Sequence, residues 1–247
     1  MSSHFEEKNP LEHVVEKRVE GLITLSESHG TETPGHFSAA ADSMRETAVV
    51  AFLIWLLLTA MATPPPTTLL VLIAFGTGWF AWKTGRSGWL GWARLERLHR
   101  LIEQERYEIE HHRSQEREEL VALYSAKGFS GKLLDEVVDV LMADQDRLLK
   151  VMLEEEMGLT LQAYEHPLKQ CLGAAVGTAS ALIVLGFFLF LLPLYGMLIA
   201  SPLILTTGAV VSAVYEKNRI IPAIVWNLSL GVLASGSTFF IFQLFSS

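Results

Sequence analysis

The sequence predicts an all-α membrane protein, with five transmembrane helices and a cytosolic helical insert between the second and the third. Three observations carry this reading. Residues 47–82 and 172–215 contain no Asp, Glu, Lys or Arg, whereas 94–165 is densely charged, and that segregation marks a polytopic chain carrying a soluble module. Pro64–Pro66, Pro193 and the Glu216-Lys217-Asn218-Arg219 turn cut the apolar blocks into lengths near the ~20 residues that a bilayer core needs. Basic residues gather on alternate connections only, at Lys83, Arg86, Arg94, Arg97 and Arg100 and again at Lys217 and Arg219. By the positive-inside rule the N-terminus, the insert and the Lys217 turn are cytoplasmic, and the C-terminus lies on the far side.

The elements follow in order. Residues 1–45 form a cytosolic segment in which Leu11, Val14, Val15, Val19, Leu22 and Ile23 recur at helical spacing up to about Ser26, and Ser28 to Ser38 reads as a linker. No apolar h-region marks a cleavable signal peptide. Residues 46–83 are expected as a helical hairpin with spans at Thr47–Ala62 and Thr67–Trp82. Residues 84–166 are the helical insert, and 167–247 hold spans at Leu172–Leu192, Tyr195–Tyr215 and Ile220–Phe245. Within the third span, Gly173 and Gly177 stand at the spacing of a close-packing face. Half of the 247 residues are hydrophobic, and the formal charge is −8. The one cysteine, Cys171, excludes an internal disulfide framework and a cysteine-based zinc site. No Ser/His/Asp arrangement, nucleotide loop or hydrolase motif is present, so no enzyme activity is expected. The expected partners are the bilayer and divalent metal ions, not nucleic acid.

The insert carries the chemistry. Helices are expected over Gly88–His112, Ser114–Ala126, Gly131–Met142 and Ala143–Met157, with Ser130 as a cap and Gly158 as a stop. On a continuous helix Glu105, Glu108, Glu116 and Glu119 fall within an arc of roughly 80°, with His112 inside it. Four like charges on one face repel, and protonation, arginine pairing or a bound cation can compensate. Each i, i+3 pair can reach one ion, but the pairs lie ~16 Å apart on a straight helix, so a turn near His112–Ser114 or a second subunit must bring them together. Glu156 and the Met152 thioether on the last helix complete an oxygen-rich site with one soft ligand. Such a set suits Mn²⁺, and the sulfur tilts it towards Fe²⁺, with Zn²⁺ a further candidate. Arg100, Arg106, Arg113 and Arg117 are the alternative partners on a solvated helix. His111 and His112 read as helix-surface residues, His112 being the better placed.

These motifs resemble the vacuolar iron transporter family, which moves Fe²⁺ and Mn²⁺ out of the cytosol. The family's insert shows Glu-x-x-Glu-Ile, a second Glu-x-x-Glu, an aromatic residue and Gly, then Met-Met-x-x-Glu-Leu-Gly-Leu. This chain has Glu105-x-x-Glu108-Ile109, Glu116-x-x-Glu119, Tyr124, Gly128 and Met152-Leu153-x-x-Glu156-Met157-Gly158-Leu159. The resemblance implies a metal-binding cytosolic domain and a homodimer. It also marks departures. Arg45-Glu46 matches the family's Arg-Asp at the first span, but Phe52-Leu53-Ile54 stands in the register of its Ser-Asp-Gly. Leu153 replaces the second methionine of the insert. The second-span methionine has no counterpart, and no acid occurs between Glu46 and Glu96 or between Glu165 and Glu216. Intramembrane ionisable groups mark ion pathways, so the expectation is a divergent Fe²⁺ or Mn²⁺ transporter. The alternatives are a membrane-anchored metal-binding or sensing protein without transport, and a structural membrane protein with an interaction module.

Overall fold

The structure, a computed structural model, describes residues 35–157 and 166–246. The expected amphipathic helix before Ser26 and the Gly158 stop lie outside the described residues. All regular structure among those described is helical. It comprises α1 (Gly35–Ala60), α2 (Pro65–His111), α3 (Arg113–Ala126), α4 (Gly131–Met142), α5 (Gln145–Val151), a π-turn (Met152–Glu156), α6 (Pro167–Leu191), α7 (Gly196–Tyr215) and α8 (Ile220–Ser246). The chain divides into two compact units. Their described parts are 92–157 in one, and 35–91 with 166–246 in the other.

The second unit is apolar. Four helices, α1, α6, α7 and α8, are long and apolar enough to cross a membrane. The expected span at 67–82 forms the start of α2, where Thr67, Thr68, Gly76, Thr77 and Gly78 dilute the hydropathy. Where lipid is as apolar as the side chains, close backbone approach replaces the hydrophobic effect as the source of packing. Here that approach is made by the predicted glycines: a Cβ on Gly173 would overlap the His36 carbonyl, and one on Gly177 the Ala40 carbonyl. Ala48, Ala51, Trp55, Ala181, Leu185, Met197, Ala200 and Ile204 form the core beside this seam.

Three boundaries differ from the sequence reading, each for a tertiary reason. Helix α1 starts at Gly35, inside the expected linker and twelve positions before the expected span at Thr47. Its early turns are held by the seam at Gly173 and by Phe37 stacking on Tyr215 at 4.2 Å. Its charged residues are tolerated because Arg45 pairs with Asp42 and Lys83 with Glu46. Helix α2 runs unbroken through Gly85, Gly88 and Gly91, where a break had been expected before Gly88. Each glycine costs roughly 1 kcal/mol in a helix, but two of them permit contact: a Cβ on Gly91 would lie 2.8 Å from Gln170 Oε1, and one on Gly88 3.5 Å from the Cys171 Cβ. The last insert helix stops being α-helical at Val151 and widens into the π-turn.

The first unit packs α3, α4, α5 and the π-turn with the last turns of α2. Its core holds Leu98, Ile109, Leu120, Val138, Leu148, Met152, Leu153 and Met157. Asp144 caps α5, its carboxylate accepting the Arg147 N–H at 2.8 Å. Arg117 donates to Asp139 at 2.9 Å, and Arg113 to the Met142 carbonyl, so both arginines fasten α3 to α4.

Candidate metal centre

The end of α2 presents Glu105 and Glu108 one turn apart. The helix then breaks at His112, whose backbone adopts φ −124 and ψ 31 before α3 resumes. The break stays hydrogen-bonded: His112 N–H donates to the Glu108 carbonyl at 2.7 Å, and the His112 carbonyl accepts from Gln115 and Glu116. A straight helix would hold Glu105 and Glu116 ~16 Å apart. The redirected chain instead brings ligand oxygens of Glu105, Glu108 and Glu116 within 4.8 Å of one another. Two oxygens on opposite sides of a divalent ion are about 4–5 Å apart, twice a bond of 2.0–2.6 Å. The three carboxylates are therefore already spaced for one ion.

The remaining candidates are buried in the same unit, beyond that grouping. Glu105, Glu116, Glu119 and Glu156 are each 1% exposed, Met152 is fully enclosed, and Glu108 is half-buried. Met152 shares the apolar core with Ile109 and Leu120. Its carbonyl accepts the Met157 N–H at 3.3 Å, the i→i+5 bond of the π-turn, and such turns occur preferentially at functional sites. A carboxylate removed from water disfavours its charged form unless a positive partner or donor compensates. Several of them near one another make a place where a dication is electrostatically welcome. Tyr124 stands at the unit's edge with Lys127 4.9 Å from its ring centroid, and Lys127 reaches Glu155. Burial raises the Tyr124 phenol above its ordinary range; Lys127 opposes this and Glu155 adds to it.

The apolar unit contains a second group of charges, which the sequence did not single out as a cluster. Asp42, Arg45, Glu46 and Asn227 line a cavity of about 650 Å³. Arg45 pairs with Asp42 and donates to Asn227 Oδ1 at 3.3 Å. Glu46 accepts from Lys83 at 2.5 Å. Two turns further along α1, Leu53 lines an adjoining cavity of about 270 Å³ with Phe52, Leu198, Pro202, Ser201 and Ser235. The Ser201 hydroxyl is buried there without a hydrogen-bond partner.

A model of the VIT family matches residues 93–243, more than half of the chain. The chain belongs to the VIT family. Membership makes membrane metal transport the setting in which the glutamate grouping is read. The VIT match includes the whole acidic grouping and α6 to α8; α1 and the apolar start of α2, with Leu53, precede it. No curated protein matches the chain.

Proposed function

We propose that this VIT-family protein is a divergent membrane transporter-like protein that takes up Fe²⁺ or Mn²⁺ at Glu105, Glu108 and Glu116, with Glu119, Glu156 and Met152 completing the site. The grouping of three carboxylates within 4.8 Å carries this reading. Oxygen ligands favour Mn²⁺ and Fe²⁺, and the single thioether ranks Fe²⁺ above Mg²⁺ and Ca²⁺, with Zn²⁺ a third candidate. Because ligating carboxylates must be deprotonated, binding releases protons. Calorimetry on the full-length protein with Mn²⁺, in two buffers of different ionisation enthalpy, reads both quantities. Changing Glu108 and Glu119 together to Gln is expected to weaken binding about 100-fold, ~2.7 kcal/mol. Unchanged affinity would remove the proposed ligand set.

The same reading sets the topology. The exposed Leu70, Ile73, Phe80 and Trp82 of α2 suit a lipid-facing surface, which makes residues 67–82 the fifth span. The positive-inside distribution then puts the N-terminus and the metal-binding unit in the cytoplasm, the C-terminus on the far side, and the family's homodimer in the bilayer. After Cys171 is replaced by Ser, cysteines introduced at Ser2 and Ser247 should label from opposite sides. Labelling from one side refutes the count of five.

A second reading, metal binding or sensing without transport, is favoured by Leu53. Where the family places an aspartate, an apolar side chain lines an apolar cavity. Removing a countercharge from a low-dielectric path raises the barrier to a dication steeply. Mn²⁺ uptake by reconstituted vesicles separates the two readings: flux supports transport, and its absence with intact binding supports sensing.

A further inference from the structure

Lysine at the end of a membrane span ordinarily extends its ammonium outward to the headgroups. Lys83, directly after the apolar start of α2, does the opposite. It is 6% exposed, and its ammonium reaches across to α1, where Glu46 Oε2 accepts at 2.5 Å. One turn earlier the tie is repeated: Trp79 Nε1–H donates to Thr47 Oγ1 at 3.0 Å, and that hydroxyl donates to the Ser43 carbonyl. Two successive turns of α2 are thus fastened to neighbouring residues of α1, which fixes the position of the lysine. Glu46 also borders the cavity it shares with Asp42, Arg45 and Asn227, and Asp42 is itself paired with Arg45. The four ionisable groups, two acids and two bases, sum to zero charge.

We propose that Lys83 is a fixed counter-cation, the residue that closes the Glu46 carboxylate to mobile divalent ions. The inference goes beyond the metal-binding reading and does not depend on the glutamates of the other unit. A dication arriving at Glu46 meets an ammonium that is covalently tethered, so its effective local concentration far exceeds that of any free ion. The dication gains the attraction of one carboxylate and meets the repulsion of Lys83 and Arg45. In a poorly hydrated site, neither force is screened as it is in water. A bare carboxylate here would be a cation site; with Lys83 seated it is an internal ion pair. Lys83 would then be a selectivity determinant that acts by exclusion.

The test uses full-length protein in lipid nanodiscs. A water-soluble carbodiimide activates a carboxylate and, with an amine in contact, forms an amide with loss of water; half of the Glu46 side chain is exposed to reagent. Native protein is expected to give a Lys83–Glu46 cross-link, located by peptide mapping, in a yield that millimolar Mn²⁺ leaves unchanged. Lys83→Met should leave Glu46 open to modification by added glycine methyl ester, and Mn²⁺ should slow that modification about tenfold, because the ion now occupies the carboxylate. Lys83→Arg, which keeps the charge, should show no Mn²⁺ protection. A native cross-link that Mn²⁺ suppresses, or no cross-link at all, overturns the proposal whether or not a variant folds. So does a folded Lys83→Met, or Lys83→Gln in its place, whose Glu46 is modified equally fast with and without Mn²⁺.

Discussion

Glu105 and Glu116 are enclosed beside Glu108, a grouping of like charges brought together by one break in a helix. Asp42 and Glu46, in the apolar unit, each meet a basic side chain of the same chain. The two arrangements have different electrostatic ends. Like charges gathered in one place hold a potential that an external cation can satisfy, whereas acids matched one-to-one with bases hold almost none. The difference teaches that a single chain can keep the receiving half of a metal transporter while its membrane half becomes electrically self-contained. The VIT-family match begins at residue 93 and so includes the first arrangement and leaves out the second.

The hardest blow to this contrast falls on the seam of the apolar unit. Gly177→Val would drive its side chain into the Ala40 carbonyl, and backbone cannot give way as a flexible side chain does. A loss of about 3 kcal/mol or more is expected, read as a lower melting temperature in detergent. Calorimetry on the same variant asks whether Mn²⁺ binding by the other unit survives; if it does, the contrast between the units is sharpened.

Acid acts next. Lowering the pH from 7 to 5 protonates the ligating carboxylates in competition with metal, and Mn²⁺ affinity should fall about tenfold or more. An affinity flat across that range would mean that the gathered acids do not hold the ion. A smaller gain is expected from Leu53→Asp. Ser201 has a hydroxyl without a partner in the same cavity, so the new carboxylate would find a donor. Mn²⁺ flux into vesicles should rise from background by several-fold. Full flux by the unmodified protein would break the contrast, because it would give the ion a route that needs no acid at Leu53.

The helical character of the chain, the charged module and the position of the third to fifth apolar helices were all legible, because hydropathy and punctuation report directly on burial. So was the outline of the module's interior: Gly128, Ser130 and Asp144 mark ends that local propensity decides. What escaped depended on distant partners. Asp42, Arg45 and Glu46 look like a polar flank until their bases are known, so α1 was expected to start at Thr47 rather than Gly35. Gly85, Gly88 and Gly91 look like a break until Pro167, Gln170 and Cys171 lie against two of them. The grouping of Glu105, Glu108 and Glu116 was half legible. The spacing demanded a turn near His112, but only the break at that residue fixes which oxygens meet. Lys83 left no signal, since a lysine after an apolar run ordinarily reads as an anchor.

The smallest expected effect concerns Tyr124. Burial holds its phenol protonated above the ordinary tyrosine range, so the folded form resists ionisation that the unfolded chain accepts from about pH 10 upward. The contribution is fully present below that pH and is lost as pH rises through it. Comparing the alkaline ultraviolet titration and melting of the native protein with those of Tyr124→Phe isolates this residue; identical curves would show that the phenol is not held.

The π-turn at Met152–Glu156 has a consequence of another kind. A turn closed by an i→i+5 bond is sensitive to the number of residues in it as well as to their identity. Deleting one residue between Met152 and Met157 would return the segment to ordinary α-helical winding and rotate everything beyond it by about 100°. Glu156 and Met157 would then leave the interior, though no ligand had been substituted. Gene copies that gain or lose a single codon at this point therefore swap between a chain with its last carboxylate inside and one with it outside. Length variation there is as informative about metal handling, across related sequences, as any change of amino acid.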